Sequence, residues 1–539
     1  MCIRDRLLAP VDLIWNGGIG TYIKGSRESH ADVGDKATDA VRINGNQVRA
    51  KVIGEGGNLG MTQLGRVEFA LSGGSSYTDF IDNAGGVDCS DHEVNIKIML
   101  NEIVASGDMT MKQRNKLFMD MTDAVSTLVL SNNYRQTQAI ALAHRECEER
   151  MDEYVSLIRD FEESGKLNRA LEYLPDEETI SERKLNGQGL TKPELSILIS
   201  YAKADLKERL NLEAISQDTY LSTIVETAFP QKLVDDYHGP VMNHKLRSEI
   251  VATQLANDLV NYMGITFVNR LTESTGATVV EVARAYVAAR DVFGLHELWS
   301  HIEALDYQIP AHVQADMMSR LMRLVRRASR WFLRNRRSDM DVAAEVKSFK
   351  ASADSVRQNL AQWLKGSTQK SWQKRFDGYR EQNVPEDVSS LAAGASSLFS
   401  ALGIIEASNE TDLTVERVAE AYFCVGETLS LNWFLEQINN LEVKSNWQGL
   451  AREAFRDDMD WQLRSLTVSV LNTADSGEMG MVELMDKWKT AHPHLVSRWQ
   501  RMLGELKASD KAEYAMYSVA LRELLDLAQA SKHLAGDCS

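Results

Sequence analysis

The sequence predicts an α/β segment at the front of the chain followed by a large, mostly α-helical C-terminal region. Three observations carry that expectation. From Val11 to about Ser90, short β-rich runs alternate with helix-like runs, as in a parallel sheet. Beyond Ser90 the strand signals stop, and apolar residues recur at spacings of three and four over long stretches. Between these regimes lie two side-chain-poor loops, each following an extended or apolar run and preceding a helical one.

Taken in order, Met1 to Arg6 match neither the strand pattern that follows nor any targeting type, and residues 1–6 are expected to be a non-native leader. Val11 to Trp15 reads as a strand already inside a fold, running into the turn Asn16-Gly17-Gly18-Ile19-Gly20. Too few strands follow to build a sheet of ordinary width, so an N-terminal portion is expected to be missing. Val48 to Ile53 is the second strand and Tyr77 to Ile81 a third candidate, with helices over Ala31 to Val41 and Thr62 to Leu71. Asp91 to Ala105 is the next helix, and residues 7–110 form the first unit.

Residues 111–240 read as a helical region, with helices over Lys112 to Leu130, Thr137 to Glu162 and Lys192 to Leu210. A Gly187-Gln188-Gly189 break precedes Thr191, the expected N-cap, with Pro193 and Glu194 in the first turn. Residues 241–539, beginning with a helix over Asn243 to Met263, form a helical C-terminal region with an internal repeat. Thr278 to Tyr286, followed by Leu295, Ile302 and Leu305, matches Thr414 to Tyr422, followed by Leu431, Ile438 and Leu441, at a constant offset. The repeat thus spans about 278–305 and 414–441.

Composition removes several function classes. The chain has 60 Lys plus Arg against 77 Asp plus Glu, and a net charge of -17 opposes general nucleic-acid binding. Its five cysteines, Cys2, Cys89, Cys147, Cys424 and Cys538, are scattered without a CxxC pair, the usage of a reducing cytoplasm. No apolar run approaches the roughly 18 residues of a membrane span, so a soluble cytoplasmic protein is expected.

The chemistry concentrates in the two loops. Gly54-Glu55-Gly56-Gly57-Asn58-Leu59-Gly60 follows a strand, lets a ligand approach the backbone, and offers an amide donor and acceptor in Asn58. It matches neither phosphate-binding glycine pattern in register, and on its own a tight strand-to-helix turn is the favoured reading. The second loop, Asp82-Asn83-Ala84-Gly85-Gly86-Val87-Asp88-Cys89, ends in Ser90-Asp91-His92-Glu93, the S-x-x-E form of a capping box. Ser90 is therefore expected as the N-cap of the helix running to Ala105. A capping hydroxyl can still donate its own proton, so Ser90 is also a candidate for a ligand carboxylate at the helix N-terminus. Asp91 and Glu93 oppose an anion there unless their side chains turn aside.

Asn83-Ala84-Gly85-Gly86-Val87 with Ser90 and Glu93, preceded by Glu55-Gly56-Gly57-Asn58, resembles the paired signature loops of amino-acid dehydrogenases. The wider wording, including Asp12 to Tyr22 and His244 to Ile250 through Gly264 to Phe267, resembles the large bacterial NAD-dependent glutamate dehydrogenases. The resemblance implies a partial Rossmann-like cofactor domain over residues 7–110 and the oxidative deamination of L-glutamate to 2-oxoglutarate and ammonium, with NAD as hydride acceptor. It assigns Asn58 and Asn83 to the nicotinamide end of NAD, with Asn16, Gly56 and Gly57 as further cofactor candidates. Gly85, Gly86, Val87 and Ser90 fall to the substrate pocket, Ser90 meeting the distal carboxylate. The family's catalytic lysine, its acid/base aspartate and the pyrophosphate glycine motif have no counterpart in this sequence, so no catalytic residue is assigned and the chain is expected to be inactive alone. A small-molecule substrate and a homo-oligomer are expected, with no nucleic acid, membrane or metal partner.

Other constellations carry less. His296 to His301 has one residue too many for a zinc-binding HExxH, which turns the second imidazole to roughly 500° rather than about 400° from the first. Cys89 has no histidine base assigned by spacing. Arg320, Arg323, Arg327, Arg330 and Arg334 form a basic stripe, either solvated and salt-bridged or facing an acidic surface of the same assembly. The alternative for the whole chain is a non-catalytic helical interaction protein that retains a remnant of a dehydrogenase fold.

Overall fold

The computed structural model describes residues 3–213, 215–336, 340–443, 446–473, 479–509 and 513–536. Met1 and Cys2 of the expected leader, and Cys538, lie outside them, while Ile3–Leu7 is a short helix with Leu7 buried. The chain divides into two compact units, Met1–Arg284 and Ala285–Ser539. Both are mostly helical, and no single helix among the described residues is long and apolar enough to cross a membrane.

The first unit holds the strands β1 (Leu13–Asn16), β2 (Ile23–Lys24), β3 (Ile43–Asn44) and β4 (Val52–Glu55). They form two separate parallel pairs, β1 with β4 and β2 with β3, so a Rossmann-like sheet is not evident among the described residues. The expected strand over Tyr77 to Ile81 is replaced by a helical turn, Asp79–Asp82, and β4 is flanked instead by a single parallel bridge from Val52 to Ser75. The expected helix over Ala31 to Val41 shrinks to His30–Val33. Gly34 ends it in the left-handed region, and the buried Arg42 side chain ties the following turn to the Thr21 and Asp35 carbonyls.

The helical expectation holds where local signals are complete. Thr62 caps Gln63–Leu71, and Thr191 and Glu194 form a reciprocal capping box on Lys192–Leu212 with Pro193 in the first turn. Two long periodic runs break without a local signal. Met111–Asp120 and Thr122–Glu146 divide at Met121, and Met151–Glu163 starts afresh.

In the second unit, the Ala311–Asn335 helix buries Met317, Leu321, Leu324 and Phe332, and the Phe332 ring meets Trp331 and Phe349 edge to face. Four arginines of its basic stripe, Arg320, Arg327, Arg330 and Arg334, are ion-paired within the same unit. Arg327 reaches Asp460 at 2.9 Å, Arg330 reaches Glu453 at 2.8 Å and Asp457 at 3.0 Å, and Arg334 also meets Asp457, all on the Asn446–Leu471 helix. Arg320 turns to Asp316 on its own helix and to the Tyr379 hydroxyl.

The two repeat segments each form a helix pair: Val279–Phe293 with Leu295–Glu303, and Val415–Thr428 with Leu431–Asn439. At the junctions, Gly294 (φ 63, ψ 39) and Ser430 (φ 53, ψ 31) occupy the left-handed region. Only glycine adopts it without a Cβ penalty of roughly 1 kcal/mol. Gly294→Ala is therefore expected to lower stability by about 1 kcal/mol, and Ser430→Gly to hold or raise it by up to about 1 kcal/mol. Urea denaturation of the two variants checks the opposite signs.

Candidate functional site

Pairing of β1 with β4 sets Trp15 opposite Gly54 and Asn16 opposite Glu55, at the ends where both strands run into glycine turns. The Trp15 ring lies so close over this turn that a Cβ on Gly54 or Gly56 would come within 2.6 Å of it. A Cβ on Gly57 would come within 2.4 Å of the Gly18 carbonyl oxygen. Asn16 supports the turn from within: its carbonyl accepts the Gly57 N–H at 2.9 Å, and its side-chain amide lies against Gly60. The glycines are thus required by the approach of the 15–18 segment.

One buried ion cluster joins this turn to the second loop. The Arg66 guanidinium, on the Gln63–Leu71 helix, donates from Nε to Glu55 Oε2 at 2.6 Å, and from Nη2 to Glu55 Oε1 and Asp79 Oδ1, both at 3.0 Å. Each carboxylate then holds backbone. Glu55 accepts the Met61 N–H at 2.9 Å, Asp79 accepts the Leu59 N–H at 2.9 Å, and Asp82 accepts the Glu55 N–H at 2.8 Å. Glu55 is fully buried and Arg66 nearly so. Burial, together with the Glu55 and Asp79 charges, pushes the Asp82 carboxyl up to about 6.

The consequence is that the two asparagines meet. Asn83 Nδ2 donates to Asn58 Oδ1 at 2.6 Å on the protein surface. Of the cofactor candidates, Asn58 and Asn83 are brought together, whereas Gly56, Gly57 and Asn16 build the turn that presents Asn58. No motif pointed to Arg66, Asp79 or Asp82. Glu55, Arg66 and Asp79 lie in three separate segments, and no local pattern links them.

The substrate candidates need a correction. The second helix starts at Gly85, not at Ser90: Gly85–Ala105 is helical with Ala84 as N-cap and no side-chain cap, and Ser90 sits in its second turn. The reciprocal cap between Ser90 and Glu93 does not form, and Glu93 pairs instead with Lys97 one turn on. Tertiary anchors explain the early start. Asp88 accepts from Asn132 at 2.9 Å, and the buried His92 ring bonds the Ala228 carbonyl at 2.9 Å. These outweigh the cost of roughly 1 kcal/mol for each glycine in a helix. Gly85, Gly86 and Val87 now supply the leading amides, which precede the first intrahelical bond from Asp88 N–H to Ala84. Val87 is 69% exposed, and Ser90, three residues on, shares its face.

The raised Asp82 carboxyl has a readable sign. Between about 4 and about 6 the folded protein binds more protons than the unfolded chain, so stability present at low pH is lost as pH rises through that window. Asp82→Asn keeps an acceptor for the Glu55 N–H and removes the charge. It is expected to be more stable than the parent by about 1 kcal/mol at pH 7.5, after discounting for partial exposure, and to match it near pH 4. Thermal denaturation at the two pH values is the check.

Comparison with known proteins follows this geometry. The family model described as "Glutamate dehydrogenase, C-terminal" matches residues 187–526, and "Bacterial NAD-glutamate dehydrogenase, catalytic domain" matches residues 1–143. The NAD-specific glutamate dehydrogenase of Pseudomonas aeruginosa is 56% identical over 531 residues, covering 98% of this chain and 33% of its own length. The enzymes of that name from Halomonas elongata and Mycobacterium tuberculosis are 48% and 39% identical over 529 and 530 residues, each covering 98% of this chain. The chain spans about a third of the length of these curated relatives, at 33%, 33% and 32%. With one family model covering more than half of its residues, the chain belongs to the bacterial NAD-specific glutamate dehydrogenase family.

Proposed function

We propose that this chain supplies the nicotinamide end of the cofactor site and the side-chain end of the substrate pocket in an NAD-dependent glutamate dehydrogenase. NAD held there would supply a hydride acceptor for the α-carbon of L-glutamate, the amino nitrogen giving up a proton to solvent so that water can hydrolyse the imine to 2-oxoglutarate and ammonium. The observation that carries the reading is the surface pair of Asn58 and Asn83. With Asn58 Oδ1 and one Asn83 N–H used on each other, the pair still offers the Asn58 amide donors and the Asn83 carbonyl oxygen. That complements a primary carboxamide such as the one on nicotinamide.

The head of the Gly85–Ala105 helix suits the substrate. The amides of Gly85, Gly86 and Val87 carry the positive end of the helix dipole, which favours a carboxylate. Ser90 adds a hydroxyl donor, and Val87 an apolar contact for methylenes. Glu93 is drawn aside by Lys97 and Asp88 by Asn132, which lessens repulsion of an anion. Leu13 and Trp15, on one face of β1, are 55% and 60% exposed, and parallel strands are normally covered on both faces. In this reading other protein of the assembled enzyme covers them. Proton transfer is assigned to none of the residues named here, and a cytoplasmic homo-oligomer belongs to the same reading.

The test uses the native polypeptide carrying this sequence, assayed for glutamate-dependent NAD reduction. Ser90→Ala is expected to raise KM for glutamate by the equivalent of roughly 1.5 to 3 kcal/mol while KM for NAD and thermal stability hold, because Ser90 is not a cap. Unchanged KM for glutamate, or equal loss for both ligands, rejects the role.

A further inference from the structure

Beneath the substrate-proposed face of the Gly85–Ala105 helix lies a group of polar side chains that the reading above does not use. Asp88 and His92 come from that helix, Asn132 and Gln136 from Thr122–Glu146, and Lys203 from Lys192–Leu212. Asn132 Nδ2 donates to Asp88 Oδ2 at 2.9 Å, and one helical turn further Lys203 Nζ donates to Gln136 Oε1 at 2.8 Å. The middle helix therefore presents two neutral amides, one to the carboxylate and one to the ammonium. His92 is 5% exposed. Its Nδ1 faces the Ala228 carbonyl at 2.9 Å, an acceptor only, so Nδ1 carries hydrogen. Its Nε2 is buried without a hydrogen-bond partner, 3.7 Å from Asp88 Oδ1.

We propose that Asp88, His92, Asn132, Gln136 and Lys203 form a polar strut across three helices that sets the position of Gly85 to Ser90, making Asp88 and Lys203 positioning residues for the substrate carboxylate. The proposal rests on the substrate role of those turns given above. The physical need is plain: a helix opening with two glycines and no side-chain cap has little local rigidity, and its first anchor is Asp88. Asp88 in turn requires a cation or donors, because an uncompensated carboxylate against packed helices is costly. Lys203, bonded to Gln136 one helical turn from Asn132, is the cation whose charge acts on it through space.

Desolvation lowers the Lys203 amine to about 7, with Asp88 acting in the opposite direction. The helices packed most closely on Lys192–Leu212 are Gln63–Leu71, Thr122–Glu146 and Arg247–Met263. Asp88, from the Gly85–Ala105 helix, is the ionisable group whose charge acts on the amine, with His92 behind it. The strut therefore loses its positive charge as pH rises through about 7. A neutral amine leaves Asp88 with the Asn132 amide as its remaining donor, and the head of the helix loosens.

Two measurements on the native polypeptide test this. Hydrogen exchange of a peptide spanning residues 84–92 reads the strut without reference to activity, and Lys203→Met is expected to speed it while exchange elsewhere in the unit holds. Kinetics read the consequence: KM for glutamate rises about ten-fold in Lys203→Met with KM for NAD unchanged. Lys203→Arg, always charged, removes the rise in glutamate KM that the parent shows above pH 7. Parent-like exchange in Lys203→Met overturns the proposal, as does the same pH dependence in parent and Lys203→Arg should the methionine variant fail to fold. Faster exchange in Lys203→Met with no effect of Ser90→Ala on glutamate KM would reject the substrate reading and keep the strut.

Discussion

The front of this protein depends on a single guanidinium. Among the described residues, Arg66 is the cation placed within bonding distance of the buried Glu55 and Asp79 carboxylates, and those two carboxylates plus Asp82 hold the backbone of the first turn at Met61, Leu59 and Glu55. A planar fork satisfies this geometry because it reaches two carboxylates at once in fixed directions. Burial beside the Glu55 and Asp79 charges pushes the Asp82 carboxyl up to about 6, so it takes up a proton as pH falls through that value. Without the cluster, a turn containing Gly56, Gly57 and Gly60 has no side chains of its own to define its path.

The second loop is held by a different device. Its helix begins at the glycines rather than after them, and its head is tied down by Asp88 and His92 reaching across to neighbouring helices. The shift from a capped helix at Ser90 to an uncapped one at Gly85 changes what the segment offers. Three backbone amides and an exposed hydroxyl become available on one helix head, instead of one hydroxyl committed to its own backbone. The exposed atoms of both loops are thus positioned by polar and charged side chains packed behind them.

Elements fixed by local chemistry were legible in the sequence. Thr191, Pro193 and Glu194 announced their helix, and apolar spacing announced most of the others, because caps and periodicity act within a few residues. The S-x-x-E pattern at Ser90 misled for the same reason: it is a local signal, and contacts with residues 132 and 228 decide the outcome. The third strand failed similarly, since strand propensity at Tyr77 to Ile81 yields to the demand that Asp79 and Asp82 turn inward. The Asn58 and Asn83 positions were legible by resemblance, whereas the residues that bring them together were not. Arg66 carries no motif, and a buried ion cluster shows itself only once three separate segments are folded together. The basic stripe on Ala311–Asn335 is the reverse case, a conspicuous pattern that the fold absorbs through Asp457 and Asp460.

Arg66 brings Asn58 and Asn83 together, and in the proposed function it does so for the cofactor. Arg66→Lys tests it most directly, because lysine keeps the charge and much of the stability but cannot span Glu55 and Asp79 in the same fixed directions. Fluorescence titration of the native polypeptide with NADH should show affinity weakened about ten-fold, roughly 1.4 kcal/mol, in a variant whose circular dichroism matches the parent. Parent-like affinity in that folded variant would contradict the account.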